Sequence, residues 1–221
     1  NGHHQCVELL LDRHADINAL AVVYHNTPLH FASMNGHHQC VELLLDRHAD
    51  INAIGNNNNT PLHWASMNGH LQCVELLLYR YANIHAIGNN NNTPLHWVSR
   101  HGYHQCIELL LDRHADVNAV NNYNITPLHW VSRNGHHQCI ELLLDRHANI
   151  NAPTTNNSTP LHWACIKGQH QCIELLLDRH ADINVVDTSN NVPLHWASRY
   201  GRHQCIEILI DHGASKSITN V

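Results

Sequence analysis

The chain has 221 residues, a formal net charge of −6 and only 14% charged side chains, so it can bury a core but has no basic field to attract nucleic acid or anionic lipid. No apolar run approaches the roughly 20 residues that cross a bilayer, and Asn1-Gly2-His3-His4 lacks the pattern of a signal peptide; neither a nucleic-acid partner nor membrane insertion is expected. Histidine occurs 25 times against a single Phe, an excess that comes from repetition.

In chain order, the first predicted element is an apolar-periodic helix around Cys6, without an initiator Met before it, which reads as a segment of a longer chain. The tetrapeptide Thr-Pro-Leu-His then starts at Thr27, Thr60, Thr93, Thr126 and Thr159, and Val192 opens a Val-Pro-Leu-His variant, every interval being 33 residues. Cysteines at 6, 40, 73, 106, 139, 172 and 205 mark a second block, whose first interval of 34 reflects one extra residue between Asn18 and Thr27. In each unit Thr is an N-cap and Pro suits the first helical position, where the missing N–H costs nothing. The first helix of the unit opening at Thr60 runs to about Gly69, and the second begins near His70 with Cys73, Val74, Leu77 and Leu78 as a buried stripe, widened by Leu76. The last unit keeps Ile206, Ile208, Leu209 and Ile210 apolar, so neither end shows a polar cap. Such a helix pair cannot cover its own apolar face, and neighbours must stack to share a continuous core.

The run Thr60-Pro61-Leu62-His63-Trp64-Ala65-Ser66, then Asn68-Gly69-His70, Leu76-Leu77-Leu78 and Ala82-Asn83-Ile84-His85-Ala86, resembles the ankyrin repeat, and the likeness covers nearly the whole chain. It implies an all-α fold with short β-hairpin-like connectors, an ankyrin-repeat α-solenoid in which helix-turn-helix units form a right-handed stack. The implied units are a partial repeat over 1–25, repeats over 26–58, 59–91, 92–124, 125–157 and 158–190, and a C-terminal repeat over 191–221, forming one continuous solenoid. Where the family has Gly after the second helix, this chain has His14, His48, Tyr81, His114, His147 and His180, and only Gly213 restores it. A left-handed backbone there costs a non-Gly residue on the order of 1 kcal/mol, and imidazole hydrogen bonds to helix-end carbonyls are the expected compensation.

The resemblance makes His30, His63, His96, His129, His162 and His195 structural, tying the connector of one unit to the next. The pairs His38/Cys40, His104/Cys106 and His137/Cys139 look like metal ligands, but residues two apart on a helix do not share a face. Equivalent residues lie roughly 10 Å apart, too far to meet at one zinc ion, so no metal or other cofactor is expected. Seven of the eight cysteines fall in the apolar stripe and Cys165 replaces a serine of a first helix; free core thiols, rather than disulfides or a nucleophile, follow. No catalytic residue is assigned.

Two surfaces are candidates. Phe31, Trp64, Trp97, Trp130, Trp163 and Trp196 follow each Pro-Leu-His, at a position that the resemblance places on a concave face; they form either an interface ladder or repeat-to-repeat packing. Beside them the sequence varies, as Met34-Asn35, Met67-Asn68, Arg100-His101, Arg133-Asn134, Ile166-Lys167 and Arg199-Tyr200, at positions that in this family often meet partners. The Asn-rich connectors create glycosylation sequons at Asn58, Asn91, Asn124 and Asn157, with Asn156 an additional match, although the Thr that the fold demands makes a sequon of any Asn two residues earlier. The leading functional expectation is a non-catalytic scaffold that binds a protein partner through its concave face and finger tips. The competing one is a structural segment of a polymeric fibre, self-associating head to tail and N-glycosylated on its connectors. The scaffold implies the cytoplasm, the glycosylated fibre the outside of the cell; the sequence does not choose between them.

Overall fold

The computed structural model describes residues 3–215. Among them are thirteen α-helices: α1 (His4–Asp12), α2 (Pro28–Met34), α3 (His38–Asp46), α4 (Pro61–Met67), α5 (Leu71–Tyr79), α6 (Pro94–His101), α7 (His104–Asp112), α8 (Pro127–Asn134), α9 (His137–Asp145), α10 (Pro160–Lys167), α11 (His170–Asp178), α12 (Pro193–Arg199) and α13 (His203–Asp211). The end expected for the last unit, beyond residue 215, lies outside the described residues. The chain divides into two compact units, Asn1–Val98 with Gln105–Asp116, and Ser99–His104 with Val117–Val221. In the first, α2 packs on α4, α3 lies between α1 and α5, and α2 and α4 each pack on the second helix of their own pair. In the second, α8, α10 and α12 form a row of first helices and α9, α11 and α13 a row of second helices.

Short first helices form because both ends are satisfied by side chains and backbone outside them. Thr27 takes the extended conformation of an N-cap, Pro28 follows, and the Thr27 N–H and hydroxyl both donate to His30 Nδ1, at 3.1 and 2.8 Å. With Nδ1 accepting twice, the ring proton must sit on Nε2, which donates to the Asn59 carbonyl of the next unit at 3.1 Å. The same bridge runs from His63 to Asn92, His129 to Ser158 and His162 to Asn191, at 3.1 to 3.2 Å. At Val192 there is no hydroxyl, and His195 Nδ1 keeps only the backbone N–H. The expected inter-unit role is thus realised at His30, His63, His129 and His162, each bridging to the next repeat through Nε2.

Second helices all end alike. His48 is left-handed at φ 66°, its N–H donates to Leu45 O at 3.0 Å, and the Ala49 N–H donates to Leu44 O at 2.9 Å. This is a Schellman ending, sealed by the buried Ala49. It recurs at His14, Tyr81, His114, His147 and His180, with φ from 64° to 67°, and at Gly213. The expected imidazole bonds are absent among the described residues: the side chains at these six positions are exposed, and backbone N–H groups take the carbonyls instead.

The core is a ladder of equivalent side chains, with Leu29, Leu44, Leu62, Leu77, Leu128 and Leu143 among those fully buried. Cysteines 40, 73, 106, 139, 172 and 205 lie in it, as does Cys165. Cys6 does not: it is exposed on α1, since the first helix that covers its equivalents has no counterpart there among the described residues.

No β-strand occurs among the described residues. The connectors nevertheless carry the turn of a hairpin. Asn57 and Asn58 both have φ near 60° and the Asn59 N–H returns to Asn56 O at 3.2 Å, the form of a type I′ turn; Asn90 and Asn91 repeat it. Gly55 closes this loop on Asn59 O, and the Asn26 side-chain oxygen of the previous unit occupies the space its Cβ would need while accepting the Asn56 N–H. In later units Asn121, Thr154 and Asp187 stand where Gly55 stands, and their own side chains accept the loop N–H groups.

Candidate interaction surface

The buried thiols and the Pro-Leu-His imidazoles are used by the fold. Burial pushes the thiols of Cys73, Cys106 and Cys139 up to about 11 and that of Cys172 up to about 12, leaving them protonated. Burial likewise lowers His30 and His162, and takes His63 down to about 4 against the pull of its carbonyl partner at Asn92. Among the described residues no three His, Cys, Asp or Glu side chains gather as a metal site.

What remains is a surface. In α2 the residues Leu29, His30, Ala32 and Ser33 are buried, which leaves Phe31, Met34 and Asn35 on the other side at i, i+3 and i+4. The same geometry puts Trp64, Met67 and Asn68 together on α4, Trp130, Arg133 and Asn134 on α8, and Trp163, Ile166 and Lys167 on α10. On α6, Trp97, Arg100 and His101 share a face, as do Trp196 and Arg199 of α12 with the adjoining Tyr200. The tryptophans are half-buried and Phe31 is 36% exposed. The predicted column is therefore partly packed and partly exposed, with Trp130 resting against Trp163 of the next repeat.

The first unit's portion is neutral, with Phe31, Met34, Trp64 and Met67, and Asn35 and Asn68 folded back onto the Phe31 and Trp64 carbonyls at 2.8 and 2.9 Å. The second unit's portion is cationic and interlocked. Arg100 lies 4.9 Å from the Trp130 ring centre, and Arg133 spans Trp130 and Trp163 at 5.6 and 5.4 Å. Trp130 and Trp163 meet edge to face at 5.5 Å, Arg199 sits 5.3 Å from Trp196, and Trp196 stacks with Tyr200 at 6.0 Å. Arg133, Trp163, Ile166, Lys167 and Tyr200 line an open cleft of about 320 Å³.

Sequence reasoning missed two contributors. Asp187, buried in its connector, accepts the Trp196 indole N–H at 2.8 Å and so orients the last ring. Burial raises this carboxyl, but bonds from Asn191, Trp196 and Ser189 outweigh it and hold the group below its usual range. Its signal was a lone acid in an otherwise Asn- and Thr-rich connector. Arg202 was the other: its guanidinium reaches the Ile166 carbonyl at 3.4 Å, where His70 and Gln169 do the same for Met34 and Arg133. The sequon residues Asn58, Asn91, Asn124, Asn156 and Asn157 are all exposed on the connectors, apart from the aromatic face. The Thr60 hydroxyl of the Asn58 sequon is engaged by His63 Nδ1 at 2.9 Å.

A family profile described as ankyrin repeats in three copies matches residues 1–87, 82–154 and 147–220. The chain belongs to the ankyrin repeat family. A crystal structure of the human ASB11 ankyrin repeat domain is similar to it at 28% sequence identity, covering 89% of this chain and 88% of that one with a TM-score of 0.82. A search of curated proteins returns no match. Ankyrin repeat domains are generally protein-interaction scaffolds and typically non-catalytic, which implies protein partners. No helix among the described residues is long and apolar enough to cross a membrane.

Proposed function

We propose that this ankyrin repeat chain is a non-catalytic scaffold that grips a protein partner on the face of its first helices, the concave face of the family, with the connector tips at the rim. One observation carries the reading: the buried positions repeat almost unchanged, while the open i+3 and i+4 positions beside the aromatic column change from Met and Asn to Arg, Ile, Lys and Tyr. Packing explains the first pattern and has no need of the second. Half-open tryptophan rings flanked by arginine are the side-chain types that dominate protein interfaces. The alternative of a fibre segment draws on uniform repeats, and the open face is one of the places where the repeats differ. Selection of peptides from a random display library on the intact chain tests the proposal. Most selected peptides should lose binding on Trp130→Ala or Trp163→Ala; peptides indifferent to both substitutions would refute it.

A further inference from the structure

The geometry points to the partner's chemistry: an extended acidic segment in polyproline II conformation, lying across α8, α10 and α12 with one carboxylate per repeat. This rests on the scaffold reading above and narrows it.

Charge is the first reason. The second unit's first helices carry Arg133, Lys167 and Arg199, joined by Arg100 at the end of α6, and no Asp or Glu. All carboxylates but Asp187 belong to the second helices or the turns that follow them, and Asp187 is buried against Trp196 and its own loop. Arg133, Lys167 and Arg199 form no ion pair among the described residues, whereas Arg47, Arg80 and Arg179 on the opposite side each bond an aspartate of the preceding unit at 2.7 to 2.9 Å. A chain of net charge −6 thus turns one cationic row outward.

Spacing is the second. Neighbouring helices lie roughly 8–10 Å apart, and the cations follow that interval with one offset: Arg100, Arg133 and Arg199 stand three residues after the aromatic position, whereas Lys167 stands four after Trp163, beside Ile166. A polyproline II helix has three residues per turn at about 3.1 Å each, so residues i, i+3 and i+6 share one face at intervals of roughly 9 Å. A β-strand fails this test, because i and i+3 point to opposite sides. The cations alternate with half-buried aromatic rings, Arg133 lying over Trp130 and Trp163 and Tyr200 stacking on Trp196, and aromatic-lined grooves are the surfaces that take proline-rich backbones. A nucleic acid strand fits less well: it brings one charge per roughly 3.4 Å and would meet about one cation for every three phosphates.

The test measures fluorescence anisotropy of the intact chain with a labelled twelve-residue peptide of four Glu-Pro-Ser triplets. The comparison probes are an isomer with its glutamates adjacent, a Lys-Pro-Ser peptide and a twelve-nucleotide oligothymidylate. The proposal expects the first peptide to bind at least about fivefold tighter than each comparison probe, to weaken as salt rises, and to lose at least about tenfold on Arg133→Glu with Lys167→Glu. Circular dichroism checks that this variant folds, and Arg133→Gln with Lys167→Gln, expected to give a smaller loss, serves if it does not. Equal binding of the clustered isomer, equal or tighter binding of the oligonucleotide, or indifference to both pairs of substitutions overturns it. If the acidic peptide fails while display-selected peptides still depend on Trp163, the acidic chemistry falls and the scaffold reading stands. If those peptides also ignore Trp163, both fall.

Discussion

Acidification should unfasten the units from one another through the histidine clamps, and His63 sets the size of the effect. Its ring is completely buried, accepts two hydrogens at Nδ1 from Thr60 and donates Nε2–H to Asn92 O at 3.1 Å. Protonation would turn Nδ1 into a donor facing two donors, inside a fully buried site. The folded ring titrates at about 4, against 6.5 unperturbed. Because the folded value is the lower one, the unfolded chain takes up the proton first. Stability is therefore full above pH 6.5, falls as pH drops from there to about 4, and levels off below. At about 1.4 kcal/mol per pH unit, the full window amounts to roughly 3 kcal/mol from this residue alone. His30 and His162 are shifted the same way by burial and add to it. Urea denaturation between pH 7.5 and 4.5 measures the slope, and nitrogen-proton correlation spectra of the imidazoles report the site directly. The expected spectrum holds His63 as the Nε2–H tautomer down to pH 5. A folded-state His63 that titrates near 6.5, or a His63→Asn variant with undiminished pH dependence, would refute the reasoning.

Three further outcomes follow from particular side chains. His48→Gly should raise stability by roughly 0.5–1 kcal/mol, since relief of the left-handed backbone outweighs the freer unfolded chain; a lower denaturation midpoint would mean that the exposed ring does more than the structure shows. Ser66→Ala should be neutral or stabilising by up to about 1 kcal/mol, because the buried hydroxyl has no partner and Cys165 already fills the equivalent position; a loss above about 1 kcal/mol would reveal a hydrogen bond that has been overlooked. At pH 8 a maleimide should label the seven buried thiols only on unfolding, as read by mass spectrometry; fast labelling of Cys73 or Cys172 would contradict their burial.

The sequence by itself determined the repeat, its helix pairs and the roles of its most regular residues. Thr-Pro caps, apolar stripes and glycines are local signals, and their recurrence every 33 residues multiplies a weak inference into a strong one. It also marked the left-handed positions, since His48 and its equivalents stand where the family has Gly. Other features were decided only by tertiary structure. At His48 the helix-end carbonyls accept from the backbone N–H groups of His48 and Ala49, while the imidazole is exposed. The tryptophan column could be read as packing or as interface; the structure shows the packing, with Arg133 lying over both Trp130 and Trp163, and the interface is the function proposed for it. Spacing along a chain reveals which residues are equivalent, whereas what a side chain touches depends on residues 29 to 36 positions away, brought close only by stacking.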